Sequence, residues 1–255
     1  MALELKHKVL NWINKEGYPL EMKASQLLRK IGFEVGQSIF YMDSDTHDSR
    51  EIDIVAYKYF KIKDSWVTFA FVIECKSSLD KPWVAFTSKE ERLYPNDFII
   101  HRNANNKGKQ ILEKISTNDK AKELSLFKLK ERTAYSTVRA FSEGVDMTYK
   151  AMKSATKATY ALVEKGNNSA DVFRFFFPII LTESKLFECY LDEATEQNIE
   201  EINNIQLVLS NSFDSQRANF IDLITLDGFE DLMTKYMKDI NFIAKEYKDL
   251  FENYQ

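Results

Sequence analysis

Trp66-Val67-Thr68-Phe69-Ala70-Phe71-Val72-Ile73-Glu74-Cys75-Lys76 is the stretch on which the fold turns. Its first eight residues are mostly β-branched or aromatic, too continuous for a strand with one wet face. They predict a strand covered on both sides, at the centre of a sheet. The run then ends in a carboxylate and an ammonium. Because strand side chains alternate, Glu74 and Lys76 point one way and Cys75 the other. Glu-x-Lys alone is a common pattern, recurring here at Glu4/Lys6, Glu21/Lys23, Glu183/Lys185 and Glu246/Lys248. Only Glu74/Lys76 closes a buried strand of this kind. Glu183/Lys185 also follows an apolar run, but there Thr182-Glu183-Ser184-Lys185 reads as the turn of a hairpin between Phe173–Leu181 and Leu186–Leu191.

Working outward, Arg50-Glu51-Ile52-Asp53-Ile54-Val55-Ala56 sets a second carboxylate on an apolar strand predicted from about 50 to 60. Antiparallel pairing with 66–76 would bring Asp53 beside Glu74. Adjacent carboxylates repel and raise each other's pKa unless a cation neutralises them, and oxygen-only ligation suits Mg²⁺. Such an ion polarises a phosphoryl oxygen and acidifies bound water. The competing structural reading is a set of sheet-edge ion pairs with Arg50, Lys58 or Lys76. Before these strands, Gly17 to Gly32 predicts a helix, with Pro19 in its first turn and Leu20, Ala24, Leu27, Leu28 and Ile31 at helical spacing. Glu21, in that first turn, is either a site residue or a favourable partner of the helix dipole. Residues 34–42 predict a further strand and Asp43–Ser49 a polar loop.

Downstream, 107–127 and 131–165 predict helices, the second on a stripe of Tyr135, Val138, Phe141, Val145, Tyr149 and Met152. Short strands are expected at 205–209 and 220–226 and a helix over 228–254. Trp83, after Asp80-Lys81-Pro82, is placed either to stack on a base or sugar or to close the core.

The whole chain bounds the function. Its 255 residues, 44% apolar and 29% charged with 7 Gly and 4 Pro, predict one unit over 1–255 without a flexible linker. Cys75 and Cys189 form no CxxC pair and His7, His47 and His101 are scattered, which excludes a disulfide scaffold and a Cys/His zinc site. Met1-Ala2-Leu3-Glu4-Leu5-Lys6 lacks the order of a signal peptide and no apolar run reaches bilayer length, so a cytoplasmic protein off the membrane is expected. The net charge of -4 divides as -1 over 1–100, +7 over 101–170 and -10 over 171–255. Within the basic middle, Lys107, Lys109, Lys114, Lys120, Lys122, Lys128, Lys130 and Arg132 form either a phosphate-tracking surface or a solvated helix face.

These residues resemble the PD-(D/E)XK, or restriction-endonuclease-like, superfamily. The resemblance rests on Glu21 in the first helix, Asp53 on the second strand and Glu74-Cys75-Lys76 on the third, over roughly 18–80; Ile52 stands where the eponymous motif has Pro. It implies an α/β fold with an αβββαβ core, a mixed central sheet flanked by helices, here carrying extra helices, a basic helical region (101–170) and an acidic strand/helix extension (171–255). It further implies a nuclease, an endonuclease being favoured, that cuts phosphodiester bonds with DNA as the favoured substrate and RNA left open, in a prokaryotic defence or repair setting. Asp53 and Glu74 would bind Mg²⁺ (or Mn²⁺), with the Cys75 backbone carbonyl as a further ligand, Glu21 as a direct or water-mediated one, and Lys76 as the catalytic lysine. The basic residues and Trp83 would contact nucleic acid, and a homodimer or partner subunit would complete the machine. The alternative is a nuclease-like domain that binds nucleic acid or protein without cutting.

Overall fold

A computed structural model describes residues 2–77, 80–89, 95–142, 147–167, 172–209 and 219–254. Helix α1 (Ala2–Lys15) is followed by α2 (Tyr18–Ile31), whose limits are set by two glycines in the left-handed region, Gly17 at φ 86° and Gly32 at φ 104°. The Gly32 N–H closes the helix by donating to Leu28 and Arg29 carbonyls. Leu20, Ala24 and Leu28 form its buried stripe.

Three strands follow as an antiparallel meander: β1 (Glu34–Met42), β2 (Ser49–Ile62) and β3 (Ser65–Lys76). As the apolar run predicts, β3 is buried without interruption from Val67 to Glu74. It is central because β7 (Val172–Thr182) lies parallel to it along its whole length, from Trp66↔Val172 to Lys76↔Thr182. The chain reaches β7 through α6 (Met147–Asn167). Beyond β7 come β11 (Asn219–Thr225), parallel to it, and β10 (Asn204–Leu209), antiparallel to β11.

Period-two alternation divides the sheet into two faces. Ile54, Phe69, Phe71, Ile73, Phe175 and Phe177 pack towards α2 and α7 (Leu226–Glu246), together with α4 (Asn106–Ser116), which the short helices α3 (Pro95–Ile100) and α5 (Asp119–Lys122) precede and follow. Val55, Ala70, Val72 and Phe176 face α6. The protein is thus α/β, with a mixed sheet flanked by helices. Among the described residues no helix is long and apolar enough to cross a membrane.

Four more strands, β4 (Trp83–Lys89), β6 (Arg132–Arg139), β8 (Leu186–Leu191) and β9 (Gln197–Ile202), join this sheet through one bridge, Leu207↔Ala134. They correct three expectations. The segment 131–165 is not one helix: Arg132–Arg139 is a strand and α6 starts at Met147, so Tyr135 and Met152 share no helical stripe; residues 143–146, Val145 among them, lie outside the described region. β8 does not return along β7, whose edges are taken by β3 on one side and by β11 and the short β5 (Asn103–Ala104) on the other; it pairs with β4 and β9 instead. Trp83 begins β4 and is 1% exposed in the second core, where no base can stack on it.

Candidate active site

The β2–β3 register pairs Ile54 with Ile73, so one step towards the end of β3 brings Asp53 opposite Glu74 on the α6 side of the sheet. Asp53 Oδ2 accepts the main-chain N–H of Cys75 at 2.7 Å. Glu74 is 8% exposed and each of its oxygens is engaged. Lys76 Nζ donates to Oε1 at 2.5 Å and Ser154 Oγ, from α6, donates to Oε2 at 2.8 Å. Of the three edge partners of the competing reading, Lys76 does pair with Glu74, whereas Arg50 Nε pairs with Asp43 at 2.6 Å and Lys58 Nζ donates to the Gly32 carbonyl at 3.5 Å.

Negative charge exceeds positive in this corner. Burial, then the Glu74 carboxylate, push Asp53 up to about 7, while the Cys75 N–H and Lys76 pull it down and Glu21 pushes it further up. Glu21 is raised by burial and by Glu51 and Glu74, against Lys76. Burial disfavours the Lys76 ammonium, but Glu74 and Asp53 outweigh that and raise it, so Lys76 is a firmly held cation. The Cys75 thiol, held well above its ordinary range by burial and then by Asp53, stays protonated. Cys75 therefore serves the site through its main chain.

The donors are oxygens, which fits a hard divalent cation better than a soft one, and the Asp53 shift marks a place where an added positive charge is favoured. The fit is to a pair of carboxylates: among the described residues no three His, Cys, Asp or Glu side chains lie close enough together to hold an ion. Glu21 acts on Asp53, and Glu74 on Glu21, through charge.

Other side chains are brought to this corner by tertiary packing. Ser154 is one polar residue on a long helix, and only tertiary packing brings it to Glu74. Glu183 stands just past the end of β7, where its N–H donates to the Lys76 carbonyl at 3.4 Å. Its carboxylate accepts from Ser77 Oγ at 2.8 Å and Lys23 Nζ at 3.2 Å, tying α2 to the same end of the sheet. It is no hairpin-turn residue, and Lys185 points elsewhere, to Glu201 and Asp227. On the other flank Lys157, one helical turn beyond Ser154, pairs with buried Asp43 at 3.0 Å and with Asp45, fastening the β1–β2 loop to α6.

The basic residues are not gathered here. Lys107 and Lys114 lie against the Tyr254 ring, and Lys107 also against Phe173 at the start of β7. Phe173 is separated from Thr182, beside Lys76, by about 30 Å of strand. Lys109 shares α4 with them. Lys128 pairs with Glu123, Lys130 donates to the Asn204 carbonyl at 2.7 Å, and Arg132 pairs with Glu188. Lys120 and Lys122 pair with Glu246 and Asp119. The structure gives these cations individual partners in place of one continuous surface.

Comparison of the sequence with protein-family models and with curated proteins, and of the fold with solved structures, gave no match.

Proposed function

We propose that this chain is a Mg²⁺-dependent nuclease of the restriction-endonuclease-like kind, with its centre at Asp53, Glu74 and Lys76. The observation that carries the reading is the apposition of Asp53 and Glu74 across two strands, with a surplus of negative charge and an ammonium two residues on. The element order supports it: α2, the β1–β2–β3 meander, then α6 and a strand parallel to β3, as the resemblance implies. Asp53 and Glu74 would hold the cation; Mn²⁺ would substitute. When bound, Mg²⁺ supplies a Lewis acid for a phosphoryl oxygen and for the attacking water. Lys76 keeps its proton at neutral pH, so its part is to orient that water or stabilise charge building on the phosphoryl oxygens. Lys76 must leave Glu74 Oε1, at least in part, to reach a substrate. DNA is the favoured substrate.

A second reading, a nuclease-like domain that binds nucleic acid or protein without cutting, is favoured by one observation. Lys76 and Ser154 already satisfy Glu74, so the pair is complete without a metal. Supercoiled plasmid incubated with Mg²⁺ or Mn²⁺ separates the two. Cutting by the wild type, reduced on the order of 100-fold or more in both Asp53→Ala and Lys76→Ala, is the expected result. Absent cutting, or cutting equal in all three proteins, refutes catalysis at this centre.

A further inference from the structure

At the opposite end of the same sheet face lies a cavity of about 200 Å³ lined by Tyr57, Tyr59, Thr68, Leu162, Lys165, Arg174 and Phe176. The strand registers place Tyr59, Thr68 and Arg174 in one row across β2, β3 and β7, with Tyr57 and Phe176 in the row beside it. The Tyr57 and Tyr59 rings stack at 5.6 Å with 17° between their planes, and both line the cavity. Lys165 comes from the last turn of α6. From these residues we propose that the cavity binds a phosphoryl anion.

Four features support this. Among the described residues no carboxylate lines the cavity. The Arg174 guanidinium has no ion pair or hydrogen bond with any described residue, although its stem is packed over Gly166 and its charge acts on both tyrosines. A half-buried guanidinium open to the cavity is free to take an anion, and its fork matches phosphate oxygens. Tyr57 is pushed up to about 12 by burial, then by Tyr59, and Tyr59 is raised by burial and by Glu34; both hydroxyls are therefore proton donors at neutral pH. Finally, the volume is below that of drug-sized sites and suits a small anion or one group of a larger ligand.

Two charges oppose binding. Glu34 pairs with Tyr57 at the rim, and the C-terminal end of α6 is the negative end of its dipole. The Gly166 carbonyl at that end already accepts from Asn105 Nδ2 at 3.3 Å, and two cations face these two terms.

The phosphoryl group has two possible sources, a free phosphate or a nucleic-acid strand. Binding is measured in EDTA with inorganic phosphate and with a short single-stranded oligodeoxynucleotide lacking terminal phosphates. Arg174→Gln should weaken whichever probe binds by roughly tenfold or more, Lys165→Gln and Tyr59→Phe by less. Lys165 is exposed, so Lys165→Gln keeps the test open if Arg174→Gln fails to fold. Phosphate binding alone identifies a small-molecule site; oligonucleotide binding displaced by phosphate identifies a strand-contact site. The proposal is overturned if neither probe binds the wild type, or if the folded variants bind as it does. The outcome is independent of plasmid cutting, because none of these residues belongs to the Asp53–Glu74 centre.

Discussion

Two buried carboxylates in this protein are built from the same parts but sit in opposite electrostatic surroundings. Glu188, on β8, accepts from Thr87 Oγ1 at 2.7 Å and from Arg132 Nε at 2.7 Å, and Arg132 stacks on Tyr190 at 3.7 Å. Glu74, on β3, likewise has one hydroxyl and one cation. At Glu188 the acid, base and hydroxyl balance, and despite burial its pKa is lowered, by Arg132 and Thr87. At Glu74 a second strand adds Asp53 and a helix adds Glu21, one ammonium faces three acids, and Asp53 rises to about 7. A buried ion pair alone is an ordinary structural device. The surplus acid beside one is what marks a candidate centre.

The comparison breaks most visibly by removing a cation from the balanced pair. Arg132→Ala leaves Glu188 buried with only Thr87, which costs about 3 kcal/mol, or roughly 6–12 °C of Tm for a chain of this size. Because Glu188 is held below its ordinary value, its contribution is present above about pH 4.5 and fades as pH falls. The Tm gap between wild type and Arg132→Ala should therefore be full at pH 7–8 and narrow towards pH 4. A gap constant over that range would show that Arg132 acts by packing on Tyr190.

Asp53→Asn should act in the reverse sense. With its folded pKa raised, Asp53 stabilises the fold fully only below about pH 3.8, and that contribution is lost as pH rises to about 7. An amide resembles the protonated acid, so without metal the variant should melt above the wild type at pH 8, on the order of 5 °C, and together with it near pH 4. Thermal melts across pH in EDTA check this. A wild type that outlasts Asp53→Asn at pH 8 would mean the corner is not overcharged, removing the main support for a cation there.

The two regions also differed in how far the sequence disclosed them. The β3 run needs burial on both faces, and Gly17, Pro19 and Gly32 mark the ends of α2, so both were legible from local rules. Asp53 meets Glu74 because the β2–β3 connection is short enough for local pairing to set the register. The second region defeated the same rules. In β6 the buried positions are Thr133, Ala134 and Thr137 while Tyr135 and Val138 face out, and the spacing of those outward residues to Phe141 imitates a helix. The register shift opposite Phe86 and Thr87 of its partner β4 leaves Tyr135 as an extra residue in β6 and breaks the alternation there, with Thr133 and Ala134 buried side by side. β8 was visible as a strand but not its partner, since only the assembled sheet shows that both edges of β7 are taken. Glu183 was noticed for its spacing and misplaced for the same reason.

The smallest expected effect concerns the hydroxyls that the two carboxylates share as a feature. Ser154→Ala removes the contact from α6 to Glu74 Oε2 and should cost about 1 kcal/mol, some 2–4 °C of Tm, leaving Lys76 in place. The loss could also arise from altered helix packing, so the informative quantity is the coupling in a cycle with Glu74→Ala. If the hydrogen bond carries the effect, Ser154→Ala should cost almost nothing once Glu74 is gone, and the coupling should exceed about 0.5 kcal/mol. The Thr87/Glu188 cycle is the control, with the same chemistry in a corner where charge already balances. Coupling at Thr87 but not at Ser154 would mean that α6 lies beside the Asp53–Glu74 centre without holding it, and that Lys76 alone fixes the Glu74 carboxylate.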